Sequence, residues 1–261
     1  MKTNKIIILV FSLLITCLSL QPVHGDSLRE KIPIEERGLF PNSLIYAWNI
    51  EKTGYGTMRC TGTYIGNNLF LSAGHCVTDP TGNIIAKKAS TETNDTSHTL
   101  GFNMYKKSVF HKNPFKPMPD YTGYKDFQND VSLTTITEPN KVSLDASGVQ
   151  LAVYTDLNQL VGQTVSTIGY SYYFPGDMTR TEGKVLRVEQ DGTLTVDFYV
   201  AEQNSGSPVY YNGEIIGILT GSADIEDCLG SPMCQQATIT PFTMNIKSKL
   251  FDKNGVAVAV R

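Results

Sequence analysis

The chain has 261 residues, a formal net charge of −3 and 18% charged residues, with no basic run. This charge pattern argues against a nucleic-acid partner, because proteins that bind nucleic acids concentrate Lys and Arg on one surface. The apolar fraction is 41%, glycines and tyrosines are frequent, and long helical periodicity is scarce. We therefore expect a globular all-β fold.

The N-terminus has the pattern of a secretory signal peptide. Met1-Lys2-Thr3-Asn4-Lys5 is basic, residues 6–20 are apolar, and Gly25 supplies a small residue at the end. A membrane anchor is the weaker alternative, because about 15 apolar residues are short for crossing a bilayer. We predict that residues 1–25 are a signal peptide, that the mature protein is secreted, and that it has no membrane contact after cleavage.

Residues 26–41, which follow the predicted cleavage site, are polar. They contain Glu35-Glu36-Arg37-Gly38, a candidate processing point. The segment is either a short propeptide or a flexible leader, and the sequence leaves both alternatives open.

Two groups of short strand-like runs follow, most of them rich in β-branched or aromatic residues and bounded by Gly, Asn, Asp or Pro. The first group comprises residues 43–49, 58–65, 69–72 and 131–136, and the second comprises 165–170, 183–189, 193–199, 208–211 and 214–219. A linker-like stretch at residues 138–148 separates the groups. We predict an N-terminal half at residues 42–140 and a C-terminal half at residues 141–261.

Two local signals in the C-terminal half are clear. Asn212-Gly213 lies between two strand-like runs and predicts a β-hairpin turn. Residues 241–252 have apolar side chains at helical spacing, Phe242, Ile246 and Leu250, with Thr243 as a candidate N-cap. We therefore expect a short helix near the C-terminus.

Signal cleavage would remove Cys17 and leave an even number of cysteines. In an exported chain this favours two disulfides. The alternative is a zinc site, but there is no Cys-x-x-Cys pair, so we predict no metal. A nucleotide motif is also absent from the sequence, and we expect no cofactor. The four remaining cysteines are Cys60, Cys76, Cys228 and Cys234.

Three segments carry side chains suited to nucleophilic catalysis. His75 lies in Ser72-Ala73-Gly74-His75-Cys76, and Ser205 lies in the turn Asn204-Ser205-Gly206-Ser207. Asp130 precedes an alternating strand, so its side chain can turn inward. A serine hydroxyl is a weak nucleophile until a base accepts its proton, and a carboxylate can orient that base.

Other residues compete for each of these roles. Ser207 is the nearest rival nucleophile, but the glycine expected after a nucleophile follows Ser205. The rival acids and bases lie in segments that look like loops. They are Asp120, Asp126, His98 and His111.

The chain order His, Asp, Ser resembles that of the chymotrypsin-fold serine proteases. The Asn-Ser-Gly-Ser turn is most similar to that of bacterial glutamyl endopeptidases and exfoliative toxins. The resemblance covers roughly residues 43–250 and implies two antiparallel six-stranded β-barrels with the active site between them. It also implies a bacterial, monomeric serine endopeptidase that acts on protein or peptide substrates with His75, Asp130 and Ser205.

The resemblance also implies two disulfide pairings, Cys60 with Cys76 and Cys228 with Cys234. It places the oxyanion hole at the backbone N–H groups of Ser205 and Gln203. The family has glycine where this chain has Gln203, so we expect slow turnover or a hole that forms only with substrate. Asn204 is neutral, so activation by an ion pair with a new N-terminus is not implied.

The specificity residues of glutamyl endopeptidases are not matched. Leu219 stands where those enzymes have a histidine, and Val200 where they have Thr or Ser. An apolar pocket does not offset the desolvation of a carboxylate, so we predict an apolar or aromatic preference. The edge that pairs with the extended substrate would be Thr220-Gly221-Ser222.

A rival function is a catalytically weak, protease-like binding protein or toxin with a single partner. Gln203 and the tyrosine-containing loop at residues 117–124 motivate this alternative. The complete set of three candidate catalytic residues argues against it, because a protein that has lost its catalytic activity usually lacks one of them.

Overall fold

The structure, a computed structural model, describes residues 29–92, 114–135, 145–172, 174–222 and 236–261. The predicted signal peptide, His98, His111, Cys228 and Cys234 lie outside these residues. None of the helices in the described ranges is long and apolar enough to cross a membrane.

Strands dominate the described part of the chain. In order they are β1 (Glu30–Lys31), β2 (Ile45–Lys52), β3 (Gly56–Tyr64), β4 (Leu69–Ser72), β5 (Ala86–Glu92), β6 (Phe115–Pro117), β7 (Ser132–Thr135), β8 (Leu151–Val153), β9 (Thr164–Ser171), β10 (Phe174–Val188), β11 (Leu194–Val196), β12 (Pro208–Tyr211), β13 (Glu214–Ser222), β14 (Ala237–Pro241) and β15 (Val258–Val260). The α-helices are α1 (Ile34–Arg37) and α2 (Met244–Ile246), and short 3-10 turns occur at Asn42–Leu44, Phe127–Asn129 and Leu157–Leu160.

The first sheet has six antiparallel strands in the order β5-β2-β3-β4-β7-β6. Alternation in β2 buries Tyr46, Trp48 and Ile50 on one face, as expected for a strand with one face on the core. The ring of Phe70 in β4 packs against both Tyr46 and Trp48. The sheet curls around this core, and its end strands β5 and β6 are not paired with each other within the described residues.

The second sheet closes into a barrel. Its strands run β12-β9-β10-β11-β14-β13, and β13 pairs again with β12. The parallel strands β8 and β15 extend it beside β13. The predicted all-β fold with six strands in each half is confirmed, although the first half is an open curled sheet over the described residues. The predicted boundary between residues 140 and 141 lies outside the described residues.

The two local signals in the C-terminal half are confirmed. Asn212 and Gly213 have φ values of 50° and 80°, the left-handed pair that a tight hairpin turn requires. The Thr243 hydroxyl accepts a hydrogen bond from the Ile246 N–H at 3.2 Å. After α2 the helix continues as a wider turn at Lys247–Phe251 and a 3-10 turn at Asp252–Asn254, so it is less regular than the spacing predicts.

The described part of the predicted leader is packed onto the second barrel. β1 pairs antiparallel with β10, and Ile32 is buried. Arg37 is also buried, and its guanidinium donates to the carbonyls of Ile32 and Gly176 and to the Asp177 carboxylate. The candidate processing point therefore has its arginine inside the folded structure.

We predict that Arg37→Ala lowers the free energy of unfolding by about 2 kcal/mol, because buried carbonyls lose a charged donor. Arg187→Ala is the matched control, since Arg187 makes an exposed ion pair with Glu189 and such pairs contribute about 0–1 kcal/mol. Urea denaturation of both variants measures the difference. Equal effects would mean that the buried contacts of Arg37 contribute no more to the stability of the fold than an exposed ion pair.

Candidate active site

The backbone of His75 is held on both sides. Its N–H donates to Asp130 Oδ1 at 2.7 Å, and its carbonyl accepts from Lys52 Nζ at 2.9 Å. Burial lowers the pKa of Lys52, while the carboxylates of Asp79 and Asp130 act in the opposite direction. The disulfide between Cys60 and Cys76 confirms the predicted pairing and ties the histidine turn to β3.

Asp130 reaches the histidine with both carboxylate oxygens. Oδ2 lies 2.6 Å from His75 Nδ1, and the Asp130 side chain is only 3% exposed. Gly74 permits this approach, because a Cβ there would lie 3.0 Å from Asp130 Oδ1 and 3.4 Å from the Val131 nitrogen. The Ser132 hydroxyl donates to the Ala73 carbonyl at 2.8 Å, which fixes β7 beside the histidine turn.

The two rival acids have other partners. Asp120 forms an ion pair with Lys249, which lowers the pKa of the Asp120 carboxyl through a hydrogen bond. Asp126 accepts from the Thr122 N–H and hydroxyl. Of these three acids, Asp130 is therefore the one that contacts His75.

The serine turn is pressed against the first sheet. A Cβ at Gly206 would lie 2.1 Å from Ser72 Oγ and 2.3 Å from the Thr61 carbonyl oxygen, so only glycine fits. The Thr61 N–H donates to the Ser205 carbonyl at 2.8 Å. Ser205 is half-buried, whereas Ser207 is fully buried against β9. The burial of Ser207 leaves Ser205 as the accessible hydroxyl of the turn.

Asn204 fastens the same turn from inside. Its side chain is fully buried, its Oδ1 accepts from the Ala201 N–H at 3.0 Å, and its Nδ2 donates to the Tyr170 carbonyl at 2.5 Å. The neutral amide both donates and accepts here, which an aspartate cannot do.

Gln203 adopts the left-handed conformation, with φ of 76°. Such a φ costs a residue with a side chain about 1–2 kcal/mol. The Glu202 carbonyl accepts from the Tyr172 N–H at 3.0 Å. In a trans peptide the N–H points opposite to the carbonyl, so the Gln203 N–H points away from Tyr172. The φ value also shows that the Gln203 side chain does not prevent the left-handed conformation at this position.

A cavity of about 250 Å³ lies between the loop before β7 and the end of β13. Its lining residues are His75, Tyr121, Gly123, Tyr124, Lys125, Asp126, Phe127, Asp130, Thr220, Gly221 and Ser222. A Cβ at Gly221 would lie 3.2 Å from the Phe127 ring, so this ring covers the backbone at that point. Burial and the nearby Asp130 charge both raise the pKa of Tyr121.

Comparison with known proteins identifies the chain. A family model described as Trypsin matches residues 42–235, more than half of the sequence. The chain belongs to the trypsin family. It is a serine endopeptidase, as the resemblance in its sequence implies. A search of curated proteins finds no match.

Solved structures share the fold of this protease at low sequence identity. One is a Glu endopeptidase in complex with MPD, with a TM-score of 0.63, 20% identity, and coverage of 87% of this chain and 96% of that one. A thermostable serine protease from an extremophilic microorganism has a TM-score of 0.63 and 14% identity, over 86% and 100% of the two chains. Protease Anisep from Arthrobacter nicotinovorans has a TM-score of 0.61 and 13% identity, over 81% and 95%.

The predicted substrate-binding residues of the protease divide into two groups. Thr220, Gly221 and Ser222 line the cavity beside His75. Val200 and Leu219 lie in the apolar core of the second barrel, where they are 3% and 2% exposed. Their predicted role in specificity stays a prediction.

The sequence did not single out Tyr121 and Phe127 as lining residues. The aromatic content of the segment before Asp130 is visible in the sequence. Its position opposite β13 depends on how the two halves pack, which no local pattern encodes.

We predict that Gln203→Gly is at least as fast as the wild-type protease, because glycine adopts the left-handed conformation without strain. Gln203→Val is expected to lower kcat about 10-fold or more, because a β-branched residue fits this φ poorly. Steady-state hydrolysis of one peptide substrate by the three proteins gives the comparison. Equal rates for glycine and valine would show that the conformation of residue 203 does not limit catalysis.

Proposed function

We propose that the protease is secreted and cleaves peptide bonds with Ser205 as nucleophile, His75 as base and Asp130 as the orienting acid. The two contacts from the Asp130 carboxylate to His75, one to the backbone N–H and one to Nδ1, carry this proposal. They fix the imidazole so that Nδ1 bears the proton and Nε2 is free to accept one.

The proposed reaction is acyl transfer in two stages. His75 Nε2 takes the Ser205 proton as Oγ bonds to the substrate carbonyl carbon, and then passes that proton to the leaving amine as the peptide bond breaks. Water next attacks the acyl-enzyme, with His75 accepting its proton and returning it to Ser205 Oγ. No cofactor enters either stage.

The developing oxyanion would be bound by the backbone N–H groups of Ser205 and Gln203. The left-handed turn at Gln203 and the hydrogen bond that occupies the Glu202 carbonyl support this assignment. Because the Glu202 carbonyl points at the Tyr172 N–H, the Gln203 N–H of the same trans peptide points in the opposite direction.

The specificity that fits these residues is for an apolar or aromatic side chain before the scissile bond. The cavity beside His75 presents Tyr121 and Phe127 on one wall and the backbone of Gly221 on another. Val200 and Leu219 lie in the apolar barrel core and offer no polar group that would compensate a desolvated carboxylate. The proposed preference is therefore not for glutamate.

We expect a fluorophosphonate probe to label the wild-type protein and Ser207→Ala but not Ser205→Ala, because only Ser205 would be activated and accessible. Ser207→Ala is the matched control in the same turn. Gel fluorescence of folded, disulfide-bonded samples measures the labelling. An unlabelled wild-type protein would reject the catalytic proposal and favour the binding protein or toxin with a single partner.

We predict that Phe127→Ala lowers kcat/KM for peptides with an aromatic residue near the scissile bond by about 10-fold, because apolar contacts of this size are worth 1–3 kcal/mol. Peptides with small residues there should be affected less. Leu186→Ala is the control, since Leu186 is an exposed apolar residue that does not line the cavity. A quenched-peptide library gives both values, and a uniform loss over all peptides would refute a role for Phe127 in selectivity.

A further inference from the structure

Thr61 in β3 joins the first sheet to the turn that carries Ser205. The residue is fully buried. Its hydroxyl donates to the Gln203 carbonyl at 3.1 Å and accepts from the Tyr170 N–H at 3.0 Å. Its backbone N–H donates to the Ser205 carbonyl at 2.8 Å, and its own carbonyl accepts from the Ser72 hydroxyl at 2.8 Å. All the polar atoms of Thr61 are therefore used at this junction.

The Gln203 contact matters because of the backbone conformation there. A residue with a side chain at φ of 76° needs its surroundings to hold it. In the peptide before Gln203, the Glu202 carbonyl accepts a hydrogen bond from the Tyr172 N–H. In the peptide after it, the Gln203 carbonyl accepts a hydrogen bond from the Thr61 hydroxyl. Fixing both peptide planes fixes φ and ψ of Gln203, and with them the direction of its N–H.

We propose that Thr61 is a positioning residue for the oxyanion hole, acting through its hydroxyl on the Gln203 carbonyl. This inference rests on the proposed catalytic role of Ser205. Without the hydroxyl, the Gln203 carbonyl loses its partner, and only the hydrogen bond from the Asn204 N–H to the Ala201 carbonyl at 3.2 Å still holds the peptide after Gln203. The left-handed strain at Gln203 then favours a turn in which the N–H no longer points at the oxyanion.

Thr61→Val tests the proposal, because valine keeps the shape of threonine and has a methyl group in place of the hydroxyl. We expect kcat to fall about 10- to 100-fold with KM little changed, less than the 10²–10³-fold loss for a whole oxyanion donor. Thr61→Ser restores the hydroxyl and should recover most of the lost rate.

Thr63→Val is a matched control. Thr63 lies two residues further along β3 and is buried like Thr61, but its hydroxyl has no hydrogen-bond partner among the described residues. Removing it should leave kcat unchanged. A loss in Thr63→Val equal to that in Thr61→Val would mean that any hydroxyl removed from this strand disturbs the site, and would overturn the proposal.

A second measurement separates positioning from a general structural role. A peptide boronic acid forms a tetrahedral adduct whose oxygen occupies the oxyanion hole, whereas a product peptide does not. We expect Thr61→Val to weaken binding of the boronate at least 10-fold and binding of the product peptide less than twofold. Equal weakening of binding for the two ligands, or no weakening for either, contradicts the proposal.

Failure of this inference is distinguishable from failure of the proposed function. If fluorophosphonate labels wild type and Thr61→Val at the same rate, Ser205 is active and Thr61 has no positioning role. Urea denaturation shows whether both proteins are folded. If neither folded protein is labelled, the catalytic proposal itself is wrong, and the inference fails with it.

Discussion

The close contact between β3 and the serine turn is the constraint on which the site depends. At Gly206 the backbones of the two halves approach so closely that no side chain fits between Thr61, Ser72 and the turn. The histidine and the serine belong to different sheets, so their relative position is set by how those sheets meet. A contact of backbone on backbone is stiff, because side-chain rotamers cannot absorb a displacement there.

The second requirement is that the Asp130 carboxylate is almost completely shielded from solvent. A buried carboxylate is costly unless hydrogen bonds satisfy its oxygens. Both oxygens of Asp130 are engaged by His75, and the small residue at Gly74 lets the carboxylate approach. The Cys60–Cys76 disulfide and the Lys52 ammonium hold the histidine turn from the other side. The imidazole is thus oriented by the backbone around it as well as by its acid.

The sequence predicts the features that need a particular residue for a local reason. The Asn-Gly turn and the Thr243 cap each answer a conformational or hydrogen-bonding demand within a few residues. The Phe127 wall and the packing of Arg37 are different, because they depend on segments far apart in sequence. Gln203 stands between these cases. The sequence identifies the unusual residue, but the partners that hold it, Tyr172 and Thr61, are visible only in the fold.

The packing of the N-terminal segment has a consequence for the order in which the protein folds. Arg29 donates to the Thr179 hydroxyl across a separation of 150 residues, and β1 has β10 as its partner. The earliest described residues to leave the ribosome therefore wait for much of the chain before they can pair. Contacts of this range are slow to form. Until then Ile32 remains exposed, and the unpaired edge of β10 is open to other strands.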